Sequence, residues 1–516
     1  MTARPTYYVT TPIYYVNDAP HIGHAYTTLA CDVLARFKRL DGYDVKFLTG
    51  TDEHGQKVEK SAQAKGVEPQ AFTDAVSQNF RDLADFMNFT HDDFIRTTED
   101  RHIRACQAIW KRLADAGQIY LDNYGGWYAV RDEAFYAEDE LTKTPDGKRI
   151  APSGAEVEWV EEPSYFFKLS EWGDRLLAYY DAHPDFILPE SRRNEVVSFV
   201  KGGLNDLSVS RTTFKWGVPV PGDEDHIMYV WLDALTNYIT AAGYPETDSA
   251  DFQKFWPADL HMVGKDILRF HAVYWPAFLM AAGIELPKRV YAHGWWTNEG
   301  EKISKSLGNV IDPTELANRY GLDQVRYFML REVPFGNDGD FSHTAMVNRM
   351  NGELANDFGN LAQRVLSMTA KNCDGIVPTP GALEVEDTAL LGQCYGLLDA
   401  VRALIDRQQF HNALEAIWVV IRAANGYVDR QAPWKLKKED PARMATVLYV
   451  LGETIRHLSI LCQPVMPQAM EKMLDQLAVP ADARSFASLG EEGAIAPGTA
   501  LPKPEGVFPR FIDEDS

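Results

Sequence analysis

Residues 6–55 read TYYVTTPIYYVNDAPHIGHAYTTLACDVLARFKRLDGYDVKFLTGTDEHG, and this stretch decides the fold. Residues 6–11 are β-branched or aromatic, which is typical of a strand. Residues 25–40 repeat apolar side chains at helical spacing, and residues 45–48 indicate a second buried strand before the loop 49–55. Strand, helix and strand form one βαβ unit. The pattern therefore predicts a parallel sheet whose ligands lie at the carboxyl ends of its strands.

The motif His21-Ile22-Gly23-His24 lies between the first strand and the helix of this unit. A helix start offers unpaired N–H groups and a positive dipole end, both of which attract phosphate. Gly23 lets a nucleotide approach the backbone, and the two histidines can donate hydrogen bonds to phosphoryl oxygens. The motif predicts a phosphate site.

Two further segments carry groups suited to a nucleotide. Lys302-Ile303-Ser304-Lys305-Ser306 is a polar segment whose two lysines can neutralise charge on a triphosphate in the transition state. Gly264-Lys265-Asp266 follows a predicted strand, where a carboxylate can accept a hydrogen bond from a ribose hydroxyl. With the histidine motif, they predict a site that holds ATP from two sides and activates a carboxylate by adenylation.

Length and composition restrict the class of protein. At 516 residues with 45% hydrophobic residues, the chain is long enough for several domains with sizeable cores. The sequence contains no run of about 18 apolar residues, so it predicts no membrane span. The N-terminus lacks the apolar core of a signal peptide. The five cysteines form no Cys-x-x-Cys pair, which favours a reducing cytoplasm over a disulfide framework.

The net charge of −23 is not that of a typical nucleic-acid-binding protein, but binding needs only a local basic face. Two stretches provide candidates, and solvated surface is the alternative interpretation of both. The first contains Arg192, Arg193, Lys201, Arg211 and Lys215, and the second contains Arg422, Arg430, Lys435, Lys437 and Lys438.

Several more motifs are shared with a known family. They are Thr11-Pro12-Ile13-Tyr14-Tyr15, Thr51-Asp52-Glu53-His54-Gly55, Tyr229-Val230-Trp231-Leu232-Asp233-Ala234, Val263-Gly264-Lys265-Asp266-Ile267 with His271, Asn360-Leu361-Ala362-Gln363-Arg364, and Pro433-Trp434. Together with the histidine and lysine motifs, they make nearly the whole chain resemble the class I aminoacyl-tRNA synthetases. More narrowly, the chain resembles the methionyl-tRNA synthetase family of bacterial type.

The resemblance implies an α/β protein with a Rossmann-like parallel-sheet catalytic domain, a β-rich connective insertion and a following α-helical bundle domain. We expect the halves of the catalytic domain at residues 1–116 and 226–300, separated by the insertion at 117–225. The other expected segments are a signature-lysine loop and stem-contact region at 301–343, a helical anticodon-binding domain at 344–479, and a C-terminal extension at 480–516.

The resemblance also implies a two-step reaction. ATP, with Mg²⁺, would activate L-methionine as methionyl-adenylate, and the methionyl group would pass to tRNA(Met), including initiator tRNA. The carboxylate is already ionised at neutral pH, so the first step needs no protein base. By resemblance, the catalytic residues are His21, His24, Lys302, Lys305 and, in a supporting role, Arg211.

Binding residues follow in the same way. The ATP-binding set is His21, Gly23, His24, Gly264, Asp266, Lys302 and Lys305. The methionine pocket is lined by Ile13, Tyr15, Trp231, Ala234, Leu235, Tyr238, Ile267 and His271, with Asp52 on the α-ammonium group. Aromatic and aliphatic walls suit an unbranched thioether side chain. The anticodon would be read by Asn360 and Arg364 and stacked on Trp434, as single-stranded RNA loops commonly are.

The chain departs from the family pattern at three places, one of which is Ile303 in the lysine motif, where the family usually has methionine. The stretch Trp127–Glu133, where many relatives carry a cysteine-rich zinc knuckle, has no cysteine, so we expect no zinc. The chain also ends soon after Ile512, without the dimer-forming C-terminal domain of some relatives. We therefore expect a cytoplasmic monomer that does not bind membranes.

Three alternatives remain at the level of sequence. A class I synthetase for valine, isoleucine or leucine would carry a larger editing insertion than residues 117–225, and one for cysteine would need zinc-binding cysteines. A non-catalytic RNA-binding paralogue would not need His21, His24, Asp52 and the lysines. A small-molecule nucleotidyltransferase would not need a helical domain with Trp434. Pyrophosphate exchange across amino acids distinguishes them.

Overall fold

A computed structural model describes residues 4–16, 19–132, 134–303 and 308–512. The chain forms two compact units. The first, called here the sheet unit, comprises residues 6–20 and 46–293. The second, called here the helical unit, comprises residues 1–5, 21–45 and 294–516. The βαβ segment that opened the sequence is thus divided, because its helix belongs to the helical unit.

The sheet unit is organised around a seven-stranded sheet. The pairs with a described register are parallel, such as Val9 with Leu260 and Leu48 with Asp93. Its middle strands are buried apolar runs, as expected of a parallel sheet covered on both faces. In spatial order the strands are Ile187–Leu188, Val290–His293, Leu260–Gly264, Thr6–Thr10 and Asp44–Asp52, and Tyr14–Tyr15 and Asp93–Arg96 also pair with Asp44–Asp52.

Helices of the sheet unit follow its strands, as in the predicted α/β class. The sequence pattern of residues 56–116 predicts helix, which is wrong at Asp93–Arg96, because these residues add a parallel strand that is too short to show a periodic pattern. The strand Ile187–Leu188 was missed for the same reason. The helices are Gln56–Lys65, Pro69–Phe86, Asp100–Asp115, Gly173–Ala182, Glu190–Lys201, Val230–Ala242, Ala250–Phe255 and Trp275–Ala282, with a π-helical turn at Phe270–Tyr274.

The predicted β-rich texture after Gly117 is confirmed. A long antiparallel hairpin pairs Ile119–Ala129 with Glu158–Phe167, and Ala134–Tyr136 and Leu207–Ser208 extend it on either side. Two small antiparallel sheets complete the region. They are built from Thr142–Lys143 and Arg149–Ile150, and from Ser210–Arg211, Asp223–Met228 and Pro219–Val220.

The helical unit begins with Ile22–Leu40, called here the motif helix. A small sheet of Glu301–Lys302, Trp296–Asn298 and Gly339–Phe341 precedes most of the remaining helices. These are Pro313–Tyr320, Leu322–Arg331, His343–Asn348, the π-helical Arg349–Gly359, Asn360–Asn372, Val385–Tyr395, Leu397–Ile405, Phe410–Gln431, Pro433–Glu439, Pro441–Cys462 and Pro467–Gln476. The amphipathic pattern predicts single helices over residues 383–407 and 442–473, but the first is divided at Gly396 and the second between Cys462 and Pro467.

The motif helix is held inside the helical unit by a buried ion pair. Arg326 donates to Asp32 at 2.7 Å, and both side chains are fully buried. The same guanidinium donates to the carbonyl oxygens of Pro464 and Val465. Removing one partner would leave an uncompensated buried charge, so the pair fixes the motif helix relative to the turn at Pro464.

One helix, Pro441–Cys462, is long and apolar enough to cross a membrane by length and composition. However, 83% of its most apolar 18-residue window is buried inside the protein, as in the core helix of a globular domain. No other helix among the described residues meets those two criteria.

Candidate active site

The start of the motif helix is capped by its own histidines. His21 is the N-cap residue, and its Nδ1 accepts a hydrogen bond from the Gly23 N–H at 3.1 Å. In return, the His21 backbone N–H donates to Nδ1 of His24 at 3.0 Å. This is a capping box in which histidine replaces the usual hydroxyl and carboxyl groups.

The capping box determines where each ring holds its proton. Since both Nδ1 atoms accept, a neutral ring carries its proton on Nε2, and Nε2 is then its donor. Burial and the neighbouring His21 ring hold the pKa of His24 well below its ordinary value. The ring centroids are 3.9 Å apart. Each neutral ring thus carries its N–H on Nε2, a donor of the kind that suits phosphate oxygens.

Gly23 is required by this arrangement. A Cβ at position 23 would lie 2.9 Å from Cε1 and 3.1 Å from Nδ1 of His21, so a larger residue would displace the ring.

The lysine motif begins on a hairpin that packs against the motif helix. Trp296 contacts Tyr26 edge-to-face with ring centroids 5.5 Å apart. Lys302 lies on the paired strand of this hairpin and is exposed, with Nζ 5.8 Å from the Trp295 ring centroid. Lys305 lies outside the described residues. The structure thus places the histidine motif and Lys302 in one compact unit.

In the sheet unit, Gly264 and Asp266 lie at the carboxyl end of a central strand. Gly264 is its last residue, and Asp266 follows in a single 3₁₀ turn with an exposed side chain. A Cβ at Gly264 would lie 2.5 Å from Oδ1 of Asp266, so the glycine allows the carboxylate its position. An exposed carboxylate at a strand end suits a ribose hydroxyl.

Asp52 ends the strand Asp44–Asp52, and the loop after it is anchored on three sides. Arg96 donates to both carboxylate oxygens of the fully buried Glu53, at 2.7 and 3.0 Å. The Trp216 indole donates to the Glu53 carbonyl oxygen at 2.6 Å, and the ring of His54 bonds to Asp233 at 2.6 Å. These contacts hold Asp52 at the strand end, where it is 7% exposed.

The helix Val230–Ala242, called here the pocket helix, carries four of the predicted methionine-binding side chains. Trp231, Ala234, Leu235 and Tyr238 follow i, i+3, i+4, i+7 spacing, so they share one helix face. Leu235 and Tyr238 belong to the main hydrophobic cluster of the unit, and Ile13, Trp231 and Ile267 pack half-buried against it. The structure therefore brings these predicted residues together.

Tyr238 and His271 form a hydrogen-bonded pair. Nδ1 of His271 bonds to the Ile267 carbonyl oxygen at 2.9 Å, so it carries the ring proton and Nε2 accepts from the Tyr238 hydroxyl at 2.6 Å. Burial lowers the pKa of His271 to about 4, which keeps the ring neutral at neutral pH. Both ring nitrogens of His271 are thus engaged within the protein. His271 therefore orients the Tyr238 side chain through the hydrogen bond to its hydroxyl.

Aromatic residues outside the predicted set complete this region. Phe270 stacks on Trp231 with ring centroids 3.4 Å apart, and His261 stacks on Tyr238 at 4.1 Å. His261 is itself bonded to Thr10 at 2.8 Å and to the Trp275 indole at 3.2 Å. The sequence shows that aromatic residues lie near the motif residues. It does not show that Phe270 stacks on Trp231 or that His261 stacks on Tyr238.

Arg211 is 2% exposed and contacts protein groups. Its guanidinium lies 3.7 Å from the ring centroid of Tyr229, the residue that precedes the pocket helix, and 3.6 Å from a carboxylate oxygen of Glu162. It donates to the Ser208 hydroxyl and the Ser210 carbonyl oxygen, both at 2.6 Å. Its predicted role near a phosphate stays a prediction.

The helical unit brings two of the predicted anticodon readers together. The guanidinium of Arg364 lies 5.4 Å from the ring centroid of Trp434 and pairs with Asp429 at 3.1 Å. Trp434 is 41% exposed, which is unusual for a large aromatic side chain. Asn360 is exposed one turn before Arg364 on the helix Asn360–Asn372. An exposed indole with adjacent polar side chains can stack and contact an unpaired base.

Family models match both parts of the chain. Residues 7–366 match the model described as tRNA synthetases class I (M). Residues 377–516 match the model described as the anticodon binding domain of methionyl tRNA ligase.

Full-length relatives agree with these matches. The methionine–tRNA ligase of Mesorhizobium japonicum is 59% identical and that of Mycobacterium bovis 58%, with 99% and 98% of both chains covered. Among solved structures, Mycobacterium tuberculosis methionyl-tRNA synthetase in complex with methionyl-adenylate matches with a TM-score of 0.96 at 57% identity. That match covers 98% of this chain and 100% of the other. The chain therefore belongs to the methionyl family of class I tRNA synthetases.

Proposed function

We propose that the residues described above carry out the methionine–tRNA ligase reaction of the family. The reaction follows from family membership: methionine and ATP form methionyl-adenylate, and the methionyl group then passes to tRNA. The observation that best supports the residue assignment is the histidine capping box. It holds two N–H donors at a helix start in the same compact unit as Lys302.

On the ATP side, His21 and His24 donate to phosphate oxygens, and Lys302 and Lys305 neutralise charge as pyrophosphate leaves. Asp266 accepts from the ribose. Imidazole and ammonium groups do not suit the hard Mg²⁺ ion, so the ion would be bound by the triphosphate oxygens and water. When bound, it would further neutralise the phosphates.

On the methionine side, the pocket helix and Ile13, Tyr15 and Ile267 enclose the thioether side chain, and Asp52 pairs with the α-ammonium group. The aromatic and aliphatic walls favour a flexible, weakly polar side chain by shape and dispersion. One methylene changes binding by only about 1–3 kcal/mol, so discrimination depends on a well-ordered wall. The bonded Tyr238–His271 pair supports such order.

On the RNA side, Trp434 stacks an anticodon base, and Asn360 and Arg364 contact base edges of tRNA(Met), including the initiator. The segment boundaries expected at 116, 225, 300, 343 and 479 separate these tasks along the chain. Within the cytoplasm, the protein would work as a monomer without binding membranes, and light scattering tests its mass in solution.

The experiment that tests the proposal is pyrophosphate exchange with each of the twenty standard amino acids. Methionine-dependent exchange is expected, with other amino acids at least tenfold weaker. A preference for valine, isoleucine, leucine or cysteine would contradict the methionine pocket. No exchange by folded protein would favour a non-catalytic RNA-binding role.

A second experiment tests the lysine assignment. Lys305→Ala should slow adenylate formation about 100-fold or more and leave the Kd for methionine within about twofold, because its charge acts mainly in the transition state. The exposed Lys371→Ala is a matched control that should retain both values. A large loss of methionine binding by Lys305→Ala would remove it from this role.

A further inference from the structure

Behind the pocket helix lies a buried polar network that the reaction does not use directly. We propose that Asp233 is a positioning residue that holds the ammonium-binding and side-chain-binding parts of the methionine pocket in register. This inference rests on the proposed function of Asp52 and the pocket helix. Its elements all belong to the sheet unit.

Asp233 is a buried carboxylate that receives hydrogen bonds on both oxygens. Nδ1 of His54 lies 2.6 Å from Oδ2, and Nε2 of His102 lies 2.8 Å from Oδ1. Asp233 and His102 have no solvent exposure, and His54 is 5% exposed. Burial raises the pKa of Asp233, but His54 and His102 lower it by more. The net pKa is therefore below its ordinary value, and the carboxylate stays ionised. Inside a protein, such charge-assisted bonds are short and directional.

The first bond joins the two parts of the pocket. His54 lies two residues after Asp52, in the loop fixed by Glu53. Asp233 lies on the pocket helix between Trp231 and Ala234, two of the predicted wall residues. One hydrogen bond therefore spans 179 residues of sequence and connects the proposed ammonium ligand to the proposed wall.

The second bond anchors the back of the pocket helix. Asp233, Thr236 and Thr240 follow i, i+3, i+7 spacing on a different face from Trp231 and Tyr238. His102, on the helix Asp100–Asp115, bonds to Asp233 and, through Nδ1, contacts the Thr240 hydroxyl at 3.2 Å. Rotation of the pocket helix would break both contacts.

A metal site is the alternative use of these groups. His102, Cys106 and Asp233 have potential ligand atoms within 4.8 Å of one another. However, Sγ of Cys106 lies 3.2 Å from Nε2 of His102, within hydrogen-bond range. Burial and the nearby Asp233 raise the pKa of Cys106, so it offers a thiol and no thiolate. The contacts favour a hydrogen-bond network.

The test uses Asp233→Asn in the full-length protein. Two histidine N–H groups face the carboxylate, and an amide can accept from only one side while its NH₂ opposes the other. We expect the KM for methionine in pyrophosphate exchange to rise tenfold or more, while the KM for ATP changes less than twofold. The Kd for methionine should rise by a similar factor.

Asp387→Asn is a matched control, because Asp387 is a buried carboxylate of the helical unit bonded to Arg443 and Tyr427. It should lower the unfolding temperature without changing the KM for methionine. If Asp233→Asn does not fold, His54→Asn and His54→Ala replace it. Asparagine keeps an N–H donor near the position of Nδ1, so His54→Asn should restore methionine binding relative to His54→Ala.

Three results would overturn the inference: equal increases in the KM for methionine and ATP, an unchanged KM in Asp233→Asn, or no difference between the two His54 variants when these replace it. Failure of the proposed function is distinguishable, since the unsubstituted protein would then show no methionine-dependent exchange. Normal exchange by the unsubstituted protein, combined with any of the three results, refutes only the role of Asp233.

Discussion

At the scale of single residues, the assigned roles depend on what each side chain touches. Trp434 has an exposed indole beside Arg364, whereas Arg211 is buried against Tyr229 and Glu162. Both positions were identified from sequence by resemblance. Only their surroundings distinguish a side chain that can meet RNA from one that contacts its own protein.

For Trp434→Ala, we expect weaker aminoacylation and nearly unchanged pyrophosphate exchange. Stacking of a base on an aromatic ring contributes about 1–3 kcal/mol, so tRNA binding should weaken about 5- to 150-fold. The measurements are the KM for tRNA and the exchange rate. Trp434→Phe keeps a stacking surface and should retain most of the affinity. Equal loss of exchange and aminoacylation would contradict the assignment.

At the scale of elements, the start of the motif helix combines a cap with a binding site. Helix propensity favours alanine over glycine by about 1 kcal/mol, yet a Cβ at position 23 would lie 2.9 Å from the His21 ring. The glycine therefore serves ring placement at some cost in helix stability.

Gly23→Ala should consequently separate stability from activity. The unfolding temperature should change little, because the gain in helix propensity offsets the loss of the His21 cap, while pyrophosphate exchange falls about tenfold or more because His21 is displaced. Gly392→Ala is the matched control, since a Cβ there meets open space on the helix Val385–Tyr395. A Gly23→Ala enzyme with full activity would refute the close packing of His21.

The insertion is a second element whose stability can be traced to its contacts. Asp132 accepts from the Tyr136 hydroxyl at 2.9 Å and from Arg131 at 3.2 Å, and it also bonds to Ser153. Arg149 lies 4.1 Å from the Trp127 ring centroid. We propose that such contacts hold this region without zinc, as expected from the missing cysteines.

Chelation should therefore leave the unfolding temperature unchanged, and metal analysis should find no stoichiometric zinc. Asp132→Ala should destabilise the insertion by about 1 kcal/mol, because it removes the acceptor of the half-buried Tyr136 hydroxyl. Faster limited proteolysis within residues 117–170 would report this loss. The exposed Asp146→Ala is the control. Loss of stability on chelation would contradict the zinc-free interpretation.

At the scale of the whole molecule, several buried histidines should make stability depend on pH. Burial lowers the pKa of His24 and His261, and it lowers those of His271 and His457 to about 4 and about 3. At pH values above about 6.5 these rings are neutral in both folded and unfolded chains. Below about pH 6.5, the unfolded chain binds protons that the folded protein does not. The free energy of unfolding therefore decreases as the pH is lowered, down to about pH 4 for the contribution of His271 and about pH 3 for that of His457.

Each such histidine adds a slope of about 1.4 kcal/mol per pH unit. The urea midpoint should thus fall steadily between pH 6.5 and 4.5. His457→Gln should reduce this slope by about 1.4 kcal/mol per pH unit, the contribution of one histidine. An unchanged slope in His457→Gln would show that its ring is accessible to protons in the folded protein.

Much of this protein was predictable from its sequence. Short motifs at strand ends identified the nucleotide chemistry, and residue periodicity indicated a parallel sheet, because these signals are local. The β-rich insertion and the helical domain were expected from the family resemblance. Resemblance to the family then supplied candidate residues for each task. The full-length family matches confirm the fold class and the reaction.

Tertiary structure alone decided which side chains meet. The bond between His54 and Asp233 joins residues 179 positions apart, and neither periodicity nor spacing encodes such a contact. The same is true of the short strand Asp93–Arg96, which pairs with a strand some 45 residues earlier in the chain. Local sequence patterns set each segment's conformation and chemistry. Packing of distant segments determines which hydrogen bonds form, and hence which residues bind substrate and which position them.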